Sequence, residues 1–166
     1  MKIRSADASD LDSLLRLNYQ IGVMHFENAP ESFVKPSSEE KEFLLKALND
    51  QSRLFLVAEI SGDVVGFVTA TVTQNEAIPF LVKTPICRVG TIVVDENARV
   101  SGIGTQLMAR CNDWAKSQGA EQIRLEVMAF NKSAQSFYVK LGFEEQSKTM
   151  WKTVNLVSSL KCNDQR

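Results

Sequence analysis

Residues 91–108 read Thr91-Ile-Val-Val-Asp-Glu-Asn-Ala-Arg99-Val-Ser-Gly102-Ile-Gly104-Thr-Gln-Leu-Met108. An apolar strand runs into a Gly-rich turn, and the turn opens an amphipathic helix. Such a turn aims unsatisfied backbone N–H groups and the positive end of a helix dipole at one spot. The spot suits a phosphate, and Arg99 adds a planar cationic fork to it. Gly102 and Gly104 permit close approach because they carry no Cβ. Two commoner phosphate sites are excluded by spacing. A nucleotide P-loop requires Gly-Lys-Ser/Thr, whereas Gly104 is followed by Thr105 and Gln106. The dinucleotide fingerprint requires a third glycine, and position 107 is Leu. What remains is Arg-x-x-Gly-x-Gly, the mark of a phosphate-bearing cofactor or, at its plainest, of an ordinary strand-to-helix turn.

A second segment, Ile123-Arg-Leu-Glu-Val-Met-Ala-Phe-Asn131-Lys-Ser-Ala-Gln-Ser-Phe-Tyr138-Val-Lys-Leu-Gly142-Phe143, repeats the strand-to-helix theme. Asn131 is a good N-cap and Gly142 stands where a left-handed C-terminal glycine belongs. Ala134, Phe137, Tyr138 and Leu141 share one helix face. Taken together, Arg99-x-x-Gly102-x-Gly104 and Asn131-x-x-Ala134…Tyr138…Gly142-Phe143 resemble, in order and spacing, the two halves of the acyl-CoA site of the GNAT family, the Gcn5-related N-acetyltransferases.

Composition is that of an ordinary soluble globular protein. The chain has 166 residues, 44% of them hydrophobic and 23% charged. That length allows one domain with a sizeable core, and residues 1–166 are expected to form a single domain with a polar tail from about Ser158, which the resemblance implies is an N-acetyltransferase domain. A net charge of −1 gives no global basic field for nucleic acid or anionic membrane. No apolar stretch approaches a membrane span, and the N-terminus lacks the apolar core of a signal peptide. The three cysteines, Cys87, Cys111 and Cys162, are widely spaced and form no CxxC pair. With the single histidine they argue against a metal site. A reducing cytoplasm is the expected compartment.

Periodicity lays out the elements. Lys2 to Ser5 reads as a strand. Ser9 or Asp10 can cap a helix with apolar residues at Leu11, Leu14, Leu15, Leu17 and Ile21. His25 to Pro36 reads as loop. Ser37 with Glu40 offers a capping box for a second helix whose buried stripe is Phe43, Leu44, Ala47 and Leu48. Arg53 to Ile60 and Val64 to Thr73 form a hairpin about Ser61-Gly62-Asp63. After a loop from Gln74 to Pro85, Ile86 to Val94 is the strand feeding the phosphate turn. Gly102 to Gln118 is a helix that Gly119 ends. Gln122 to Met128 is a strand, Asn131 to Leu141 a helix, and Phe143 to Val154 a last strand. This order predicts an α/β fold, a central mixed β-sheet flanked by helices on both faces. The resemblance implies the GNAT-like acyl-CoA N-acyltransferase form of it.

The resemblance also implies a mechanism. In the family, parallel central strands splay apart and the pantetheine arm of CoA takes the place of a missing strand. By position, Ile92, Val93 and Val94 supply the backbone groups. The pyrophosphate lies over the N–H groups of Val100, Ser101, Gly102, Ile103, Gly104 and Thr105, with the Arg99 guanidinium beside it. Asn131 and Ser133 face the pantetheine, and Lys140 the adenine end or surrounding water. Acetyl-CoA is then the co-substrate and an amine-bearing acceptor its partner: a small amine, a peptide N-terminus or a lysine. An alkyl ammonium must lose a proton before it attacks, which requires a base. Glu126, in Leu125-Glu126-Val127, pairs with Tyr138 as in the family's protein N-terminal alanine acetyltransferases. Glu126 is the expected base and Tyr138 the general acid to the thiolate. Glu59 and Glu76 are weaker candidates for the base. Cys87 and Cys111 read as core thiols. The first helices and their loop line the acceptor side in this family, which points to Tyr19, His25, Phe26, Glu27, Phe33 and the loop around Phe80. A homodimer is compatible with this reading. The alternative from another class is an acyl-CoA-binding sensor with little catalysis; a DNA-binding regulator lacks a basic helix.

Overall fold

The computed structural model describes residues 1–98 and 102–154. These divide into two compact units, Met1–Lys132 and Ser133–Arg166. The polar tail from Ser158 lies outside the described residues.

The first unit is built on five strands in the order β1-β2-β3-β4-β5. They are β1 (Lys2–Ser5), β2 (Arg53–Ile60), β3 (Asp63–Thr73), β4 (Ile86–Val94) and β5 (Gln122–Arg124). β1 to β4 pair antiparallel, and β5 joins β4 parallel. The β2–β3 hairpin closes on Ser61 and Gly62, with φ of 54° and 90°. Two positive φ values in succession are what a two-residue connection between twisted strands demands. The helices are α1 (Leu11–Asn28), α2 (Glu39–Asn49), α3 (Ile103–Ser117) and α4 (Lys132–Lys140).

Alternation along β3 assigns the faces. Phe67 packs with Phe55, Val57 and Val93 against Leu14 and Leu17 of α1 and Leu44 of α2. Its neighbour Gly66 points the other way, where a Cβ would stand 3.3 Å from Ile103 and 3.4 Å from Leu107 of α3. The sheet therefore carries α1 and α2 on one face and α3 on the other, as the order of elements predicts. Leu14 and Leu17 are fully buried, and each such side chain contributes about 1.5–3 kcal/mol through burial.

Several boundaries differ from the sequence reading. The α1 entry is capped by Asp7, whose side chain accepts from Ser9 N (2.8 Å) while Asp10 accepts from Asp7 N (2.9 Å). This capping box starts a short turn at Ala8–Asp10 that leads into the helix; Asp10 is the N-cap residue of α1, as expected, but its side chain makes no cap bond there. α1 continues through His25 to Asn28, where a loop is expected, because Met24, His25 and Phe26 remain half-buried along it. Ser37 and Glu40 form no reciprocal box. Ser38 is the α2 N-cap, and the Glu40 carboxylate instead accepts from Asn18 Nδ2 at 2.7 Å. Phe43 is exposed rather than part of the buried stripe.

β5 ends at Arg124, four residues before the predicted Met128, and Glu126 and Val127 are exposed. In the second unit, α4 ends at a left-handed Gly142 (φ 88°), with Phe143 N donating to Tyr138 O at 3.0 Å. The predicted strand from Phe143 to Val154 is not formed. That stretch is irregular and, after Phe143, exposed throughout. Its polar run Glu144-Glu-Gln-Ser-Lys-Thr149 offers no apolar face to bury against a sheet.

Candidate active site

β4 is paired on both sides only at its start. β5 meets it at Ile86, Cys87 and Arg88, and the register stops there among the described residues. β3 follows β4 along its whole length, with one slip: Thr69 pairs Thr91 and Ala70 pairs Val89, so Gly90 is the extra residue of a β-bulge. The bulge reverses the faces of β4. Cys87 and Val89 lie opposite Val72 and Ala70 on the α3 side, whereas Thr91 and Val93 lie opposite Thr69 and Phe67 on the α1–α2 side. Thr69, itself buried, clamps the bulge: its Oγ1 accepts from Thr91 N at 3.1 Å. A Cβ on Gly90 would stand 3.1 Å from that same oxygen. The strand therefore leaves its parallel neighbour just where the bulge re-aims it. Ile92 and Val94 are half-buried there and Val93 is buried.

The chain after β4 is held firmly. Asp95 N donates to Val65 O at 2.8 Å. Its buried carboxylate accepts from Asn97 N (3.0 Å) and from the Arg16 guanidinium of α1. The Asn97 N–H bond foremost, with Arg16 assisting, holds the Asp95 carboxyl below its usual range. Arg16 also donates to Val64 O at 2.9 Å. Arg99, Val100 and Ser101 lie outside the described residues. The path resumes at Gly102, whose φ of 70° is left-handed, a conformation that side chains rarely adopt. Gln106 N donates back to Gly102 O at 3.1 Å to start α3. Gly102 and Thr105 are exposed, Gly104 is half-buried and Ile103 is buried in the core. The first-turn N–H groups of α3 thus stand at the end of an opened strand, an arrangement able to receive an anion.

The predicted acceptor residues separate into groups. The His25 ring lies 4.6 Å from that of Phe33 and 5.8 Å, edge-on, from that of Phe130; its Nδ1 bonds Ile21 O at 2.9 Å. Phe26 sits beneath Lys35 Nζ, 5.6 Å from the ring centre. Tyr19, Glu27 and Phe80 are exposed. Sequence reasoning missed a cavity of about 110 Å³ on the α1–α2 face of the bulge. Asn18, Arg53, Thr69 and Thr91 are its polar lining, and Leu44, Phe55 and Phe67 part of its apolar wall. A lone glycine inside the apolar run of β4 was the available signal for the bulge.

Among the base candidates, Glu126 is exposed on the irregular segment that follows β5. Glu59 is committed to Arg4, whose Nε donates to it at 2.8 Å, and Glu76 is exposed. Asn131 is half-buried at the start of α4, its N donating to Met128 O at 3.0 Å. In the second unit Ser133 and Lys140 are exposed. Tyr138 is half-buried between Phe137 (5.3 Å) and Phe143 (5.7 Å), and burial pushes its phenol upward. Cys87 and Cys111 are fully buried. Contact with Cys87, reinforced by burial, drives the Cys111 thiol well above the usual range, as suits a core thiol and not a nucleophile. Among the described residues no cluster of His, Cys, Asp and Glu is able to hold a metal ion, and no helix is long and apolar enough to cross a membrane.

Comparison with known proteins now decides the family. The profile described as "Acetyltransferase (GNAT) family" matches residues 21–143. The chain belongs to the GNAT family. An uncharacterized N-acetyltransferase of Methanocaldococcus jannaschii, MJ1207, is 29% identical over 144 residues, covering 87% of this chain; the chain spans only 61% of that relative's length. An N-alpha-acetyltransferase of Sulfurisphaera tokodaii is 30% identical over 149 residues, covering 87% of this chain and 80% of its own. The aminoglycoside acetyltransferase AAC(6')-Iy, solved with a CoA-linked bisubstrate analogue, shares the fold with a TM-score of 0.73 at 19% identity, over 93% of this chain and 97% of its own. N-acetyltransferase is accordingly the enzyme class of this GNAT chain.

Proposed function

We propose that this GNAT chain transfers the acetyl group of acetyl-CoA directly to a primary amine within a ternary complex. The observation that carries the reading is the edge of β4 left without a β5 neighbour beyond Arg88, running toward the glycine turn at the head of α3. An extended pantetheine arm can complete that edge through the backbone of Ile92 and Val93, as an added strand would, and the family resemblance adds Val94 to the arm's neighbours. The diphosphate then falls on the turn from Arg99 to Thr105, with Asn131 and Ser133 beside the arm and Lys140 toward the nucleotide end.

A neutral amine attacks the thioester carbon, the tetrahedral oxyanion collapses, and the carbon–sulfur bond breaks. Glu126 takes the amine proton, directly or through water, and Tyr138 gives its proton to the departing thiolate. The phenol is protonated at neutral pH, as a general acid must be, and burial raises it further. Direct transfer needs no enzyme nucleophile, in keeping with the burial of both described cysteines. The acceptor is a small amine, a peptide N-terminus or a lysine; a relative named N-alpha-acetyltransferase supports the second of these.

Calorimetry with acetyl-CoA tests the cofactor half. Micromolar binding is expected, weakened at least ~10-fold by Arg99→Ala; equal affinity in both proteins sinks the phosphate role. Free-thiol release across amines and peptides tests the chemistry. Tight acetyl-CoA binding with no thiol release from any acceptor would establish a sensor instead.

A further inference from the structure

The cavity beside the bulge has an electrostatic character that the acetyl-transfer reading alone does not require. Arg53 is its only charged lining residue among those described, and no carboxylate lines it. Arg53 Nε is buried and has no hydrogen-bond partner. Asp50 Oδ1 is engaged by Ser52 N (3.0 Å) and Ser52 Oγ (2.6 Å), while Oδ2 forms an ion pair with Arg53 Nε at 3.6 Å, too long for a hydrogen bond. The other acid nearby, Glu40, is occupied by Asn18. Arg53 Nη1 lies at the bulge itself, 3.8 Å from where a Gly90 Cβ would stand. Arg53 and Gly90 thus meet at the wall of the cavity.

We infer that Arg53 receives a carboxylate of the acceptor, so that this enzyme acetylates small molecules bearing an amine and a carboxylate a few bonds apart. The inference rests on the proposed acetyl transfer and narrows its acceptor. A guanidinium always carries charge and binds carboxylates in a planar fork. An unpartnered buried N–H costs free energy that an incoming carboxylate recovers. Thr69, Thr91 and Asn18 add hydroxyl and amide groups for orientation, and the walls of Leu44, Phe55 and Phe67 suit a short apolar side chain. A cavity of about 110 Å³ holds the carboxylate end of such a molecule, leaving its amine near the opened strand.

The test compares leucine with leucinamide as acceptors, by thiol release from acetyl-CoA. Leucine is expected to be preferred at least ~10-fold in kcat/KM, although the amide's less basic amine biases the comparison against it. Arg53→Gln is expected to abolish the preference by raising KM for leucine, with KM for acetyl-CoA unchanged; Arg53→Lys should restore part of it. Equal use of leucine and leucinamide by the unaltered enzyme, or a preference that survives in Arg53→Gln, overturns the inference while leaving acetyl transfer standing. A preference for succinyl-CoA over acetyl-CoA that vanishes in Arg53→Gln puts the carboxylate on the donor and likewise overturns it. Calorimetry of N-acetylleucine against N-acetylleucinamide on the CoA-loaded protein reads the pocket without turnover. Arg53-dependent binding of the acid there, with no thiol release from any amine, supports the carboxylate site and rejects acetyl transfer; equal binding of acid and amide rejects the carboxylate site.

Discussion

Tyr138 bears the heaviest chemical assignment of any single side chain. Its phenol sits between two aromatic rings, and desolvation raises its pKa. The sign follows directly: the protonated form needed by a general acid persists up to and beyond the ordinary phenol value of about 10. Activity is therefore expected to hold through pH 9 on this account, with any loss from Tyr138 ionisation falling above ~10. Tyr138→Phe should lower kcat by about 10²–10⁴ with the calorimetric Kd for acetyl-CoA little changed; unaltered turnover removes the assignment. The helix that carries Tyr138 was legible in the sequence because its N-cap and its terminal glycine agree on one register. Arg53 was not. It opens β2 as one more strand residue in the sequence, and its meaning comes from Gly90, 37 residues away, which only sheet pairing brings beside it.

At the level of the strand, the bulge turns an ordinary β4 into one with a re-aimed end. Thr69 secures it by supplying Oγ1 to Thr91 N in a buried setting. Thr69→Val keeps the shape and removes the acceptor, so the amide is left unpaired at a cost of about 1–3 kcal/mol. Urea unfolding should show that loss, and KM for acetyl-CoA should rise because the bulge aims the edge proposed to hold it. Gly66→Ala is the contrasting variant. Its Cβ would come 2.9 Å from the backbone oxygen of Val93 on β4 and 3.3 Å from Ile103 of α3, straining the β3–β4 pairing at about 1–3 kcal/mol, by the same urea measurement. Elements with strong periodicity or paired end signals, such as β1, β2, β4, α3 and α4, were readable nearly to the residue. The end of β5 was not, because Leu125-Glu126-Val127 alternates like a strand whether or not a neighbour is there to pair with it. The stretch after Phe143 misled for the opposite reason: isolated apolar residues such as Trp151 suggest a strand, but they are exposed and no apolar face accumulates.

Across the first unit, two arginine–carboxylate ties join segments far apart in the chain, and both make stability depend on acid pH. Arg4 of β1 donates to both oxygens of the buried Asp10 at 2.8 Å and to Glu59 of β2 at 2.8 Å. Arg16 links α1 to Asp95 at the exit of β4. Arg4 depresses the Asp10 carboxyl, and the Asn97 N–H with Arg16 depresses that of Asp95. For a carboxylate whose folded pKa lies below its unfolded value, the stabilisation is complete above the unfolded value, about 3.9. It is lost as pH falls through the folded value. Stability should therefore be flat with respect to these two groups from pH 7 to about 5 and decline steeply below about 4. Asp10→Asn should reduce stability at pH 7 by about 2 kcal/mol, since Arg4 keeps Glu59 but loses its buried partner. The same variant should show a shallower decline below pH 4, because one of the titrating ties is gone. Thermal unfolding followed by circular dichroism at half-unit steps from pH 7 to 3 reads both effects. Parallel curves for the two proteins down to pH 3 would show that the Asp10 tie contributes nothing to acid lability.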